Sequence, residues 1–542
     1  MELPKNSDFA QPSPAIPPQW LRYLIIVLLI IGIFFRFGNL GGKVYWIDEA
    51  YTSLRISGYT ESEFIEQVAD GKIREIQYLQ KYQRINSDKT VYDTVKGLAL
   101  EEPQLAPLYF IATRFWVQLF GDSIAVTRSI SAVFSLLALP CMYWLCRELW
   151  DSSLTAWLAV SLLAVSPFQI VYAQEARPYS LFVLAFLLSS AALLRGMRLK
   201  TNSSWVIYAV TVAAGFYTHL LFALLALGHG IYVAISENLR FNKILIGYLL
   251  ASIAGFIAFF PWVVVYLQNA QNASDKLGWQ SVQMPFSKLV ANWVLNITRQ
   301  FFDPGLYSNL PRAASIVTIP IILISLIIVG YSFYWLLTHS PRRVWLFVAI
   351  LTCATVAIFL PADLILGGIR SINTRYMIPC YLGMQIAVAY LFASKITSPQ
   401  VTVQLQKLWR LAFAAVLSVG IISCCIYLPA DSWWNKDRSY INIPIARTVN
   451  SASGPLLVAD LWVYSVDTIS HLLGLSYLLV PQTKFMVLPP QTLEIPPNFK
   501  EIFLYGISPQ LKAEIEKNTS YEIETIYSLK NGDIILSKLR TK

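Results

Sequence analysis

The chain has 542 residues, of which 56% are hydrophobic and only 14% charged, whereas a soluble domain carries roughly a quarter charged residues. That excludes an ordinary soluble protein and makes lipid the main solvent. The net charge of +10 does not indicate nucleic acid, because the basic residues lie singly or in small clusters between apolar runs, the arrangement that orients membrane proteins.

Residues 1–20 are rich in Pro and Ser and read as a disordered tail. The apolar run 21–40 is too long for a signal-peptide core and reads as a retained first span. Further spans are expected at 124–146, 154–172, 178–194, 244–266, 313–337, 344–361, 376–394 and 409–429. The stretch from Trp205 to Ser236 is too long for one straight crossing and suits two short helices turning near Tyr217-Thr218-His219. Charge supports the double crossing. The loops holding Arg147, Arg195/Arg198/Lys200, Arg240/Lys243, Arg342/Arg343 and Lys395 to Arg410 are basic and should be cytoplasmic. They alternate correctly with about eleven spans, the N-terminus cytoplasmic and the C-terminus outside. The run from Pro107 to Phe120 is short and carries Arg114 and Gln118, which suits an interfacial helix.

The expected fold is therefore an all-α polytopic membrane domain over 21–430, interrupted by a large first outer loop at 41–123. A small α/β domain follows over 431–542, where β-type runs (Leu456 to Ala459, Phe485 to Leu488, Ile502 to Tyr505, Glu522 to Tyr527, Ile534 to Leu536) alternate with helical stretches such as Gln510 to Lys517. Asn531-Gly532 is a hairpin signal. No catalytic constellation stands out in this region. The six cysteines all lie in or beside apolar runs, which argues against a disulfide framework or a cysteine metal site.

Three clusters carry chemistry, all on the outer face in this topology. Asp48 and Glu49 follow the first span and the headgroup-belt residues Tyr45 and Trp46; the bland account is a helix N-cap. Glu175 and Arg177 are compressed between two spans, where charges need partners or a polar cavity; they would satisfy that simply by pairing with each other. Arg370 and Arg375 break the positive-inside tendency and call for an anion, phosphate fitting a guanidinium fork best, unless they only anchor lipid headgroups. His219, in the proposed turn, is most simply a structural hydrogen-bonder. Asp48, Glu49 and Glu175 are the carboxylates from which a divalent cation site, Mg²⁺ or Mn²⁺, would have to be built. Such parts suit glycosyl transfer from a polyprenyl-phosphate sugar, with a carboxylate as base and arginines on the departing phosphate.

In their order, Trp46-Ile47-Asp48-Glu49-Ala50, Pro107-Leu108-Tyr109 with Phe120-Gly121-Asp122 and Arg128, Gln174-Glu175-Ala176-Arg177-Pro178-Tyr179 after Ser166-Pro167, and Arg375-Tyr376 resemble the motifs of the GT-C glycosyltransferases of the protein mannosyltransferase type, glycosyltransferase family 39, which includes bacterial lipid A aminoarabinose transferases. The resemblance implies a GT-C fold, an undecaprenyl- or dolichyl-phosphate-sugar donor, an active site on the outer face of the plasma (inner) membrane, and a lipid, glycan or protein acceptor. It implies Asp48 and Glu49 as catalytic residues and Arg177, Arg370, Arg375 and Tyr376 at the donor phosphate. Glu175, Tyr179, Gln104, Tyr109 and His219 are then substrate-binding candidates. Gln104-Leu105-Ala106 stands where many members have a basic or His residue. The competing readings are an oligosaccharyltransferase or glycan ligase and, from another class, a lipid-linked sugar transporter or flippase, which would gather its charges near the bilayer midplane.

Overall fold

Hydrocarbon offers the backbone no hydrogen-bond partners, so each apolar run has to close its own hydrogen bonds as a helix. The computed structural model describes residues 19–305, 312–460, 465–488, 498–506, 508–528 and 534–541. The proposed tail up to residue 18 and the Asn531-Gly532 turn lie outside them.

The chain begins with α1 (Gln19–Phe37) and then leaves the bilayer for α2 (Ile47–Ile56), α3 (Glu61–Val68), the short strand β1 (Arg74–Glu75) and α4 (Val91–Glu101). Next come α5 (Leu108–Phe120), α6 (Ile124–Leu149), α7 (Ser153–Ala164), α8 (Pro167–Ala173), α9 (Tyr179–Leu199), α10 (Asn202–Thr218), α11 (Phe222–Ser236) and α12 (Lys243–Gln268). The helical part is completed by α13 (Ala270–Leu277), α14 (Phe286–Thr298), α15 (Arg312–His339), α16 (Arg342–Ile365), α17 (Ile378–Thr397) and α18 (Val403–Tyr427).

Among the described residues, seven helices are long and apolar enough to cross a membrane, or eight when the bent pair α7–α8 counts as one span. The expected total of about eleven would need α1, α10 and α11, of 19, 17 and 15 residues, to cross as well. The break between α10 and α11 falls at His219, as the turn residues suggested. The expected straight span at 154–172 is instead bent by 57°. Pro167 starts α8 and pushes Ser166 into an extended conformation, which ends α7. The carbonyls that α7 loses at this break are recovered by Arg36 of α1, which is fully buried and donates to Ala164 O at 2.7 Å and Leu163 O at 3.1 Å. The bend aims the loop 174–178 at the outer site. Helix α5 has 13 residues, a length of roughly 20 Å that cannot span a bilayer core of about 30 Å. Its Arg114 instead donates to Ile56 O at 2.5 Å, at the end of α2.

After α18 come α19 (Asn442–Asn450), β2 (Pro455–Ala459), α20 (Ser465–Leu475), β3 (Lys484–Val487), β4 (Glu501–Tyr505), α21 (Pro509–Asn518), β5 (Tyr521–Ser528) and β6 (Ile534–Thr541). The sheet order is β1-β3-β2-β4-β6-β5, with β3, β2 and β4 parallel and the outer pairs antiparallel. The C-terminal α/β unit is not closed on itself, because its edge strand β1 comes from the first outer loop. One apolar core joins Leu54, Phe64 and Tyr82 of that loop to Leu457, Leu473, Phe485 and Tyr505. Helix α20 approaches the loop so closely that a Cβ on Gly474 would stand 2.8 Å from Tyr45 O.

This shared core generates a prediction. Phe485→Ala, which empties a fully buried site, should destabilise the extramembrane unit by about 3–5 kcal/mol. Limited proteolysis should then cut within 61–101 as readily as within the C-terminal region. Cleavage confined to the C-terminal region would contradict the shared core.

Candidate active site

Helix α2 carries Asp48 and Glu49 in its first turn, and consecutive helical positions point about 100° apart. The two carboxylates therefore face different surroundings. Glu49 accepts from the Trp46 backbone N–H at 3.4 Å, so the N-terminal capping role falls on it and not on Asp48. Asp48 faces a cavity, with its side chain 24% exposed. Its Oδ2 lies 2.6 Å from Arg375 Nη1 and 3.7 Å from Arg177 Nε. Burial raises its pKa, but Arg177 and Arg375 outweigh that and hold it below the usual carboxylate value.

The guanidiniums are themselves positioned. Arg177 donates to Asp48 O at 3.2 Å and Thr52 Oγ1 at 3.1 Å. Arg375 also donates to Tyr179 Oη at 2.9 Å and lies against the rings of Trp279, Tyr179 and Tyr376 at 5.4–5.8 Å. The Tyr376 hydroxyl accepts from Gln280 Nε2 at 2.9 Å.

Behind α2 lies a second, fully buried layer of charge. Arg128 of α6 grips Glu49 with two bonds of 2.7 Å and also donates to the carbonyls of Leu40, Lys43 and Val44. Glu49 accepts further bonds from the Ala176 N–H at 2.9 Å and Lys436 Nζ at 3.1 Å. Burial would raise the Glu49 pKa, but Arg128 and Lys436 bring it down to about 2. Glu175 has weaker support. It lies 3.6 Å from Lys436 Nζ and accepts from Asn435 Nδ2, and burial pushes its carboxyl up to about 7.

The cavity beside Asp48 has a volume of about 390 Å³. Arg177, Arg375, Tyr179, Tyr376, His219 and Gln104 of the sequence candidates line it, together with Tyr51, Glu102, Lys276, Trp279 and Phe359. His219 accepts from the Leu221 N–H at 3.1 Å, and burial, Arg375 and Arg177 push its pKa down to about 3; the imidazole is neutral. The Gln104 Oε1 is buried without a hydrogen-bond partner in the protein.

Other candidates are placed elsewhere. Arg370 is not in the cavity wall: it bonds Asp363 Oδ1 at 3.2 Å, Gly367 O and Ser281 Oγ, so its anion is a protein carboxylate. The Tyr109 hydroxyl is buried against Ser131 Oγ at 2.8 Å. Glu175 and Arg177 do not pair with each other, since Glu175 turns to Lys436 and Arg177 to Asp48. Among the described residues, no three His, Cys, Asp or Glu side chains form a metal-binding group. Asp48 is engaged by Arg177 and Arg375, and Glu49 and Glu175 share Lys436, so these carboxylates are turned to cations of the protein. Sequence reasoning missed the charged residues Glu102 and Lys276 of the cavity wall and Lys436 behind it; Lys436 lies 387 positions from Glu49, and only its place just after the last span hinted at the site.

Residues 102–265 match the family model of dolichyl-phosphate-mannose-protein mannosyltransferases. No curated protein matches the chain. The structure is similar to ArnT from Cupriavidus metallidurans, at 13% identity over 96% of this chain and 98% of that one. The TM-score is 0.54 for its apo state and 0.52 for its complex with undecaprenyl phosphate. The oligosaccharyltransferase AglB from Archaeoglobus fulgidus, in complex with an inhibitory peptide and a dolichol-phosphate, is 12% identical, with a TM-score of 0.47 over 92% of this chain and 70% of that one. The fold and the family-model match make the chain a multi-pass membrane glycosyltransferase of the GT-C class.

Glu49→Gln leaves Arg128 buried without its counter-charge and Lys436 with Glu175 alone, and should lower stability by about 3–5 kcal/mol. Because the folded pKa of about 2 lies below the ordinary 4.5, this stabilisation is fully present above pH 4.5 and is lost as pH falls toward 2. Thermal unfolding in detergent checks both: the wild-type advantage over Glu49→Gln should shrink on acidification, and a constant difference would contradict the assignment.

Proposed function

We propose that the enzyme transfers a sugar from a polyprenyl-phosphate donor to an acceptor hydroxyl or phosphate on a lipid, glycan or protein, at the extracytoplasmic face of the plasma (inner) membrane. The observation that carries this reading is a solvent-accessible carboxylate, Asp48, held between two guanidiniums on the wall of a cavity. The C-terminal α/β unit lies on that same side, opposite the basic loops, which supports a cytoplasmic N-terminus. The undecaprenyl phosphate in the ArnT complex supports the class of donor.

In the resting site Asp48 is a poor base, because the two guanidiniums stabilise its charged form. A donor phosphate competes for the same guanidiniums. As it takes Arg375 and Arg177, Asp48 loses its partners and its proton affinity rises. The acceptor oxygen then attacks the anomeric carbon and its proton passes to Asp48. The bond from that carbon to the phosphate oxygen breaks, and the polyprenyl phosphate leaves with its charge on Arg177 and Arg375. Glu49 touches none of the reacting groups in this scheme and serves to orient α2.

Asp48→Asn should reduce transfer by at least about a hundredfold while leaving expression and membrane insertion intact. Turnover of polyprenyl-phosphate sugars by purified Asp48→Asn at the wild-type rate would sink the assignment. Arg375→Ala should raise the donor KM by about tenfold or more with the acceptor KM little changed; an unaltered donor KM and kcat would refute its role.

A further inference from the structure

The extramembrane segment after α18 also supplies a charged group to the buried layer behind the cavity. Lys436 lies in a 3₁₀ turn, Trp434–Ile441. Its ammonium is fully buried, 3.1 Å from Glu49 Oε2 and 3.6 Å from Glu175 Oε1. The same turn accepts the Ile47 N–H on Ser439 Oγ at 3.1 Å, and Asn435 donates to Glu175. One short turn thus grips two of the segments that present the cavity charges, one residue from Asp48 and two residues from Arg177.

The two carboxylates do not need Lys436 equally. Glu49 is already satisfied by two bonds from Arg128 and one from the Ala176 N–H. Glu175 has only Lys436 and Asn435, and its Oε2 has no hydrogen-bond partner. Lys43, the other ammonium nearby, is engaged by Gln174 Oε1, Leu428 O and the Tyr427 ring. The remaining cations are Arg375, whose charge already acts on Glu175, and Arg177, two residues along the chain. Arg375 Nη1 stands 2.6 Å and Arg177 Nε 3.7 Å from Asp48 Oδ2. If Lys436 were absent, an isolated buried carboxylate at Glu175 would draw on these two guanidiniums, and they are the proposed phosphate clamp.

We infer that Lys436 is a positioning residue, neutralising Glu175 so that Arg177 and Arg375 stay committed to Asp48 and to the donor phosphate, and that it makes the C-terminal segment part of the working site. This rests on the polyprenyl-phosphate reading above. The buried ammonium binds no substrate; it acts through Glu175, Arg177 and Arg375.

The test measures undecaprenyl phosphate binding to the full-length protein in nanodiscs, for wild type, Lys436→Met and the double variant Lys436→Met/Glu175→Gln. At alkaline pH, where Glu175 keeps its charge after the ammonium is gone, Lys436→Met should weaken binding about tenfold or more, and at pH 6, where the carboxyl is protonated, the loss should shrink. The double variant, neutral at both positions, should return to within about threefold of wild type. Equal binding by Lys436→Met and wild type overturns the inference. Equal loss in the single and double variants also overturns it, since Lys436 would then act by packing alone. If Lys436→Met does not fold, a folded double variant that binds near the wild-type level supports the charge role, and a double variant that is also unfolded contradicts it. Failure of wild type itself to bind undecaprenyl phosphate defeats the donor assignment and this inference with it.

Discussion

The buried pair between Glu49 and Arg128 is the constraint on which the outer half of the molecule depends. Two charges taken out of water into a fully buried position persist only when their geometry is good and their remaining hydrogen-bonding groups are satisfied. Here the guanidinium meets both carboxylate oxygens at 2.7 Å and spends its other donors on Leu40, Lys43 and Val44 carbonyls. The pair therefore fixes the path of the chain as it leaves α1, the start of α2, and the position of α2 against α6. The Ala176 N–H on Glu49 adds the loop between α8 and α9 to the same point. With three elements tied there, the adjacent helical position, Asp48, is delivered to the cavity wall opposite Arg177 and Arg375.

Two neighbouring acidic residues thus do different work because of helical geometry. Glu49 faces inward, is matched by Arg128 and Lys436, and stays ionised to low pH. Asp48 faces the cavity, and its partners are groups that an incoming anion can compete for. The C-terminal unit reinforces this division. It shares an apolar core with the first outer loop, contributes Lys436 behind α2, and accepts β1 as a sheet edge. Folding of that unit and assembly of the site are then one event.

Much of this was legible in sequence. The long apolar helices, the break near His219 within 205–236 and five of the six described strands follow from local hydropathy, charge and alternation, which are properties of short windows. The convergence of Asp48, Arg177 and Arg375 could be anticipated because topology alone puts three short outer segments on one face. What escaped was set by distance along the chain or by side-chain direction. Lys436 reaches Glu49 across 387 positions, and no local pattern marks it. Arg370 looked like its neighbour Arg375, but Asp363, at the end of the preceding helix, takes it first. Strand β1 has two residues and exists only because β3 is there to pair with. The bend before α8 was readable from Ser166-Pro167, since proline restricts the residue that precedes it.

The central claim is that the two guanidiniums on Asp48 are the seat of the donor phosphate. A cryo-EM structure of the protein with undecaprenyl phosphate tests it most directly. The account predicts phosphate density between Arg177 and Arg375, with Arg375 drawn away from the Asp48 Oδ2 it now meets at 2.6 Å. Phosphate bound elsewhere, with the Asp48–Arg375 contact unchanged, would contradict it.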